Sequence, residues 1–188
     1  MSTDRAAFFF YGTLRNPGWM RSFDAYAGGT VVLPDDRPLA PRGFTPVTHK
    51  LKGWSLLRPN GLGFPIIRQL HDEDEVVGTV AYVSGPLISK VIDWLDSVES
   101  EGSMYDRVKV TATPVRHYHD GIVDAGRASG HRWIKEEEGE PEEVSVYVPT
   151  KNFLESLAFV DVADHIVSGD WHDRGRIDKL DYKRWARP

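Results

Sequence analysis

The first apolar run is Phe8-Phe9-Phe10-Tyr11, stopped by Gly12, which predicts a buried strand and its exit turn. Gly28-Gly29 precedes a second, mostly apolar stretch from Thr30 to Leu33, and residues 34–46, rich in Pro, Arg and Asp, read as a loop. His49 to Leu57 reads as a strand ended by Arg58-Pro59-Asn60-Gly61. Glu75 to Val83 has the β-branched content of a central strand. The period then changes. Ser84 or Gly85 can cap a helix, Pro86 suits its first position, and Leu87, Val91, Leu95 and Val98 recur at near-helical spacing. Beyond Gly102, Val108, Val110 and Ala112 alternate with Arg107, Lys109 and Thr111, the pattern of a strand with one solvated face. Val144 to Val148 predicts a further strand, and short helices are expected over residues 152–158 and 161–168, the second stopped by Gly169. Several short strands with few helices predict an α+β fold, a mixed β-barrel or sheet with peripheral helices.

Two segments stand apart. Residues 118–143 turn rich in Gly, Asp, His and Glu, with the run Glu136-Glu137-Glu138, and read as an exposed excursion. Residues 174–188 form a basic tail carrying Tyr182 and Trp185. With no internal repeat and no clear linker, the 188 residues are expected to form a single domain. The chain is 40% hydrophobic and 27% charged, enough for a core. Its net charge of -5 argues against a nucleic-acid binder. The absence of cysteine removes disulfides, thiolate nucleophiles and zinc-cysteine sites. No signal-like h-region and no membrane-length apolar run is present, so the expectation is a cytoplasmic protein with no membrane partner.

Candidate chemistry begins at Tyr11-Gly12-Thr13-Leu14. Glycine lets the backbone turn sharply and lets a ligand approach the amides without a Cβ in the way. Successive N–H groups of Gly12, Thr13 and Leu14 can form a small anion-binding concavity. The second element is Leu95-Asp96-x-x-Glu99, closing a helix, followed by Tyr105-x-Arg107 at the start of a strand. A carboxylate where a helix hands over to a loop can point into a pocket, or it can simply be solvated.

In this order, Tyr11-Gly12-Thr13-Leu14, Val77-Gly78-x-x-x-Tyr82, Leu95-Asp96-x-x-Glu99 and Tyr105-x-Arg107 resemble the γ-glutamyl cyclotransferase-like proteins, which include the AIG2-like proteins and γ-glutamylamine cyclotransferases. Phe64-Pro65-Ile66-Ile67 is similar to the aromatic-Pro strand between the first two motifs, and Ile166-x-Ser168-Gly169-Asp170-Trp171 to an AIG2-like ending. The resemblance implies a compact β-barrel flanked by helices, a small-molecule γ-glutamyl substrate, and no metal or organic cofactor. It also implies that Tyr11, Gly12, Thr13 and Leu14 bind substrate at the barrel mouth, that Glu99 is the general acid/base, and that Tyr105 lies near it. Ring closure by the substrate's own α-amine would then release 5-oxoproline and an amine. The alternative is a non-catalytic protein of the same fold that binds a small carboxylate or a partner. A third reading is a related acyl or amine transfer on a larger γ-glutamylated metabolite. Many members carry glycine directly after the catalytic glutamate, whereas Ser100-Glu101-Gly102 follows here, which leaves Glu101 as a rival.

Other signals rank lower. Gly61-Leu62-Gly63-Phe64 matches the carboxylate-binding tetrapeptide of PDZ domains, but Pro65 removes a backbone donor where peptide pairing would begin. His117-x-His119-Asp120 can put two imidazoles on one strand face, with no evident third ligand. The six tryptophans are expected in core and rim packing.

Overall fold

A computed structural model describes residues 5–15, 17–33, 48–59, 62–118, 134–137, 139–157, 162–166 and 177–181. Its strands are β1 (Arg5–Phe10), β2 (His49–Lys52), β3 (Ser55–Pro59), β4 (Ile66–Arg68), β5 (Glu75–Ser84), β6 (Tyr105–Tyr118), β7 (Ile134–Glu137), β8 (Glu142–Pro149), β9 (Val162–Ile166) and β10 (Ile177–Asp181). Its helices are α1 (Pro17–Tyr26), α2 (Ile88–Glu99) and α3 (Lys151–Ser156).

The larger sheet runs β2-β5-β1-β8-β6-β7, and an additional β2–β6 pairing links β2, β5, β1, β8 and β6 into a ring, with β7 extending from β6. The expected α+β barrel with peripheral helices is therefore present. Within it β1 is bonded on both sides, antiparallel to β5 (Phe8↔Ala81) and parallel to β8 (Phe8↔Ser145). Opposite faces of β1 feed two cores. Ala7, Phe9 and Tyr11 pack with Val80, Val144 and Val146, while Phe8 and Phe10 pack under the helices. That two-sided burial is why the strand reads as an unbroken apolar run.

Both larger helices cover the Phe8–Phe10 face. The indole of Trp94 on α2 stacks on Phe23 and Tyr26 of α1, at 6.1 and 5.2 Å between centroids, and Phe23 meets Phe10 edge-on at 5.3 Å. The close approach of β5 to β1 depends on Gly78. A Cβ there would lie 2.5 Å from the Phe10 carbonyl oxygen and 2.6 Å from the Phe9 ring, which gives the Val77-Gly78 motif its physical meaning.

Several expectations change. The stretch from His49 to Leu57 is two strands broken at Gly53 (φ 74°), with β2 in the larger sheet and β3 in a second sheet of order β10-β9-β3-β4. The helix expected over 161–168 is instead strand β9, because β3 and β10 supply backbone partners on both of its edges. Residues 177–181 of the supposed tail form β10. The antiparallel pair β6–β7 brackets residues 119–133, and those residues, with 34–47, lie outside the described ones, as do His119 and Asp120. Helix α1 answers to no expected element, although Pro17 with Met20, Phe23 and Ala27 carries its signal. No described helix is long and apolar enough to cross a membrane.

Candidate active site

Strand β1 ends at Phe10, and the chain leaves through Tyr11 and Gly12 into a short 3-10 turn, Thr13–Arg15, closed by Arg15 N–H donating to the Gly12 carbonyl at 3.0 Å. Residue 12 must be small, because a Cβ there would stand 2.8 Å from Cγ of Pro65. The Phe64-Pro65 segment is thus pressed against the Tyr11-Gly12 corner.

The other wall comes from the end of α2. After Glu99, Ser100 takes the left-handed conformation (φ 53°), and Glu101 N–H reaches back to the Asp96 carbonyl at 2.8 Å. This is a Schellman-type stop with serine where glycine is usual. Asp96 fixes how the helix end is rotated. Its carboxylate accepts from Arg107 Nε at 2.9 Å, from the Arg107 terminal nitrogen at 3.3 Å, and from the Tyr147 phenol at 2.6 Å. Arg107 and Tyr147 are directly opposed across the β6–β8 ladder, so they present one paired grip. Residues three apart share a helix face, so clamping Asp96 aims Glu99 as well. Tyr105, two residues before Arg107, projects to the same side of β6. The spacing Asp96-x-x-Glu99 and Tyr105-x-Arg107 is therefore one mechanical unit.

Between these walls lies a cavity of about 350 Å³, within the range of small-molecule sites. Tyr11, Gly12, Leu14, Glu99 and Tyr105 line it, together with Phe9, Phe10, Trp19, Phe64, Pro65, Val98, Met104 and Tyr147. Glu99 and the Tyr11 turn thus face one space. Thr13 contributes its backbone to the adjoining turn. Glu101 is exposed and does not line the cavity, whereas Glu99 does. Tyr147 and Trp19 were not singled out from sequence. Tyr147 sits in an ordinary alternating strand, and only its register with Arg107 marks it.

Burial pushes the Glu99 carboxyl up from an ordinary 4.5 to about 7. The Tyr11 phenol is raised well above its usual value by burial, and further by Tyr105 and Glu99 nearby. Tyr105 is raised by burial and by the Glu99 charge. Tyr147 is raised by burial, then by its hydrogen bond to Asp96. All three phenols therefore stay neutral at physiological pH. Tyr11 donates to the Tyr147 carbonyl at 3.0 Å, and Tyr147 donates to Asp96, so both oxygens keep lone pairs for the cavity. Among the described residues no cluster of three or more His, Cys, Asp or Glu could hold a metal ion.

The family model described as "Gamma-glutamyl cyclotransferase, AIG2-like" matches residues 8–173. No curated protein matches the sequence significantly. Among solved structures, an AIG2-like protein from Mus musculus superimposes with a TM-score of 0.54 at 17% identity, covering 91% of this chain and 90% of that one. That likeness is one of fold. A protein from Arabidopsis thaliana gives 0.46 at 20% identity, covering 81% of this chain and 73% of that one. A structure titled γ-glutamyl cyclotransferase gives 0.45 at 13% identity, covering 84% and 80%. The family match takes in every residue that lines the cavity, and by it the chain belongs to the AIG2-like γ-glutamyl cyclotransferase family.

Proposed function

We propose that the protein closes γ-glutamyl amides to 5-oxoproline and releases the attached amine, with Glu99 moving the proton. The observation that carries this reading is one carboxyl among the described lining residues, raised to about 7, in the wall of a cavity shared with the Tyr11-Gly12 turn. At neutral pH such a group populates both forms, as a group that must accept and then return a proton requires.

The substrate's α-nitrogen forms a bond to its own γ-carbonyl carbon. Glu99 takes a proton from that nitrogen and delivers one to the departing nitrogen as the original C–N bond breaks. No external nucleophile is needed, so the protein chiefly holds a reactive rotamer. The phenol oxygens of Tyr11 and Tyr147 suit the α-amine, because their protons are already committed to the protein. Tyr105, whose hydroxyl has no partner among the described residues, suits the carbonyl oxygen as negative charge develops. Amides of the Gly12–Leu14 turn suit the α-carboxylate.

The test offers γ-glutamyl amides and measures 5-oxoproline. Turnover is expected, with kcat/KM rising with pH through about 7 as Glu99 ionises to its base form. Glu99→Gln should lower kcat by about 10²–10⁴-fold. Undiminished activity in that variant overturns the role of Glu99, and ligand-induced stabilisation of the parent protein without turnover overturns the reaction.

A further inference from the structure

We propose that the amine leaving this site carries a bulky apolar substituent without a charge, seated against Trp19, and that Trp19 is the residue that selects for it. The proposal rests on the ring-closing reading above and concerns the half of the cavity that reading does not use. Burial divides the walls. Tyr11, Gly12, Tyr105 and Tyr147 are buried, whereas Leu14, Phe64 and Met104 are partly open, and Trp19 keeps 44% of its surface accessible. The glutamyl part has its polar partners at the buried end. The leaving nitrogen must sit by Glu99, and its substituent then points away from the glutamyl chain, toward the mouth.

The described residues there, Trp19, Leu14, Phe64 and Met104, are apolar. Among the described residues the only other exposed large hydrophobic is Val32, and it does not line the cavity. An indole left half in water beside a cavity gains from a ligand that covers it. No Lys, Arg or His is among the described lining residues, so a carboxylate on the leaving amine finds no cationic partner among them and lies on the side of Glu99. An uncharged aryl or branched alkyl group suffers neither cost.

The experiment compares γ-glutamyl-phenethylamide, γ-glutamyl-phenylalanine and γ-glutamyl-methylamide as substrates. The first two differ by one carboxylate, the first and third by the apolar group. The phenethylamide should exceed each of the others in kcat/KM by at least about tenfold. Trp19→Ala should collapse the phenethyl-to-methyl ratio several-fold, and Trp19→Phe should restore most of it. Equal or reversed preferences, or a ratio indifferent to Trp19→Ala, overturn the proposal. The same ligands titrated into the Glu99→Gln protein by calorimetry separate the two claims. If nothing is turned over by the parent protein, the reaction reading fails. Phenethylamide binding at least about tenfold tighter than phenylalanine-conjugate binding still supports the pocket assignment, and equal binding overturns it.

Discussion

Replacing Glu99 by glutamine removes one ionisable proton and keeps nearly the same shape, so it measures what the folded protein loses by holding that carboxyl out of water. The group titrates near 4.5 when exposed and near 7 in the cavity wall. Below 4.5 both folded and unfolded chains carry the protonated form, and burial incurs no electrostatic cost. As pH rises from 4.5 through 7 the unfolded chain releases its proton first, so stability is lost across that window and the full penalty persists above it. The whole shift corresponds to about 3 kcal/mol. Glu99 is only partly buried and part of its charge remains hydrated, which brings the expected penalty to about 1–2 kcal/mol. The variant should therefore match the parent near pH 4 and exceed it by about 1–2 kcal/mol at pH 8, a rise in Tm of about 3–6 °C. Urea unfolding of both proteins at several pH values reads the difference directly, and taking the difference cancels every other titrating group. A glutamine variant with the same advantage at pH 4 and pH 8, or with none at pH 8, would refute the reasoning. A gain in stability joined to a loss of turnover is the expected signature of a functional group held in a costly place.

Two further outcomes follow from the backbone. Ser100→Gly should stabilise by about 0.5–1 kcal/mol in thermal or urea unfolding, because it relieves the left-handed strain while adding some unfolded-state freedom; destabilisation would contradict the described turn. Gly78→Ala should cost about 2–3 kcal/mol, because its methyl group meets the Phe10 carbonyl and the Phe9 ring, and a neutral result would mean that β5 and β1 are not so closely apposed.

The parts of the site legible in the sequence were those with local cause. The aromatic run into Gly12 marks a strand that must turn, and Leu87, Val91, Leu95 and Val98 mark a helix delivering Glu99 to its end. What was hidden depends on register. Nothing in Val144 to Val148 distinguishes Tyr147 until β8 is set against β6 and the phenol falls opposite Arg107. Strand β9 departs from the expected helix for a similar reason. Val162 and Ile166 stand at helical spacing, and only the flanking strands impose the extended backbone. Helix α1 is different, since its Pro17 and its Met20, Phe23 and Ala27 spacing were available to pattern alone. The wall formed by Trp19 and Phe64 could not be assembled from sequence, because its members are far apart in the chain.

The clamp of Asp96 by Arg107 and Tyr147 separates what aims Glu99 from what forms the outer rim of the pocket. The aim of the carboxylate is set by three side chains on α2, β6 and β8. The outer rim comes from α1, the turn at Leu14, the loop at Phe64 and the corner at Met104. On the proposed reading, exchanges at the rim alter which leaving group is accepted while the clamp on Asp96 stands untouched. The reverse drift is equally open. Loss of Asp96 or Arg107 would leave the cavity while releasing the aim of Glu99, so a site able to bind its ligand would lose the fixed carboxyl beside it.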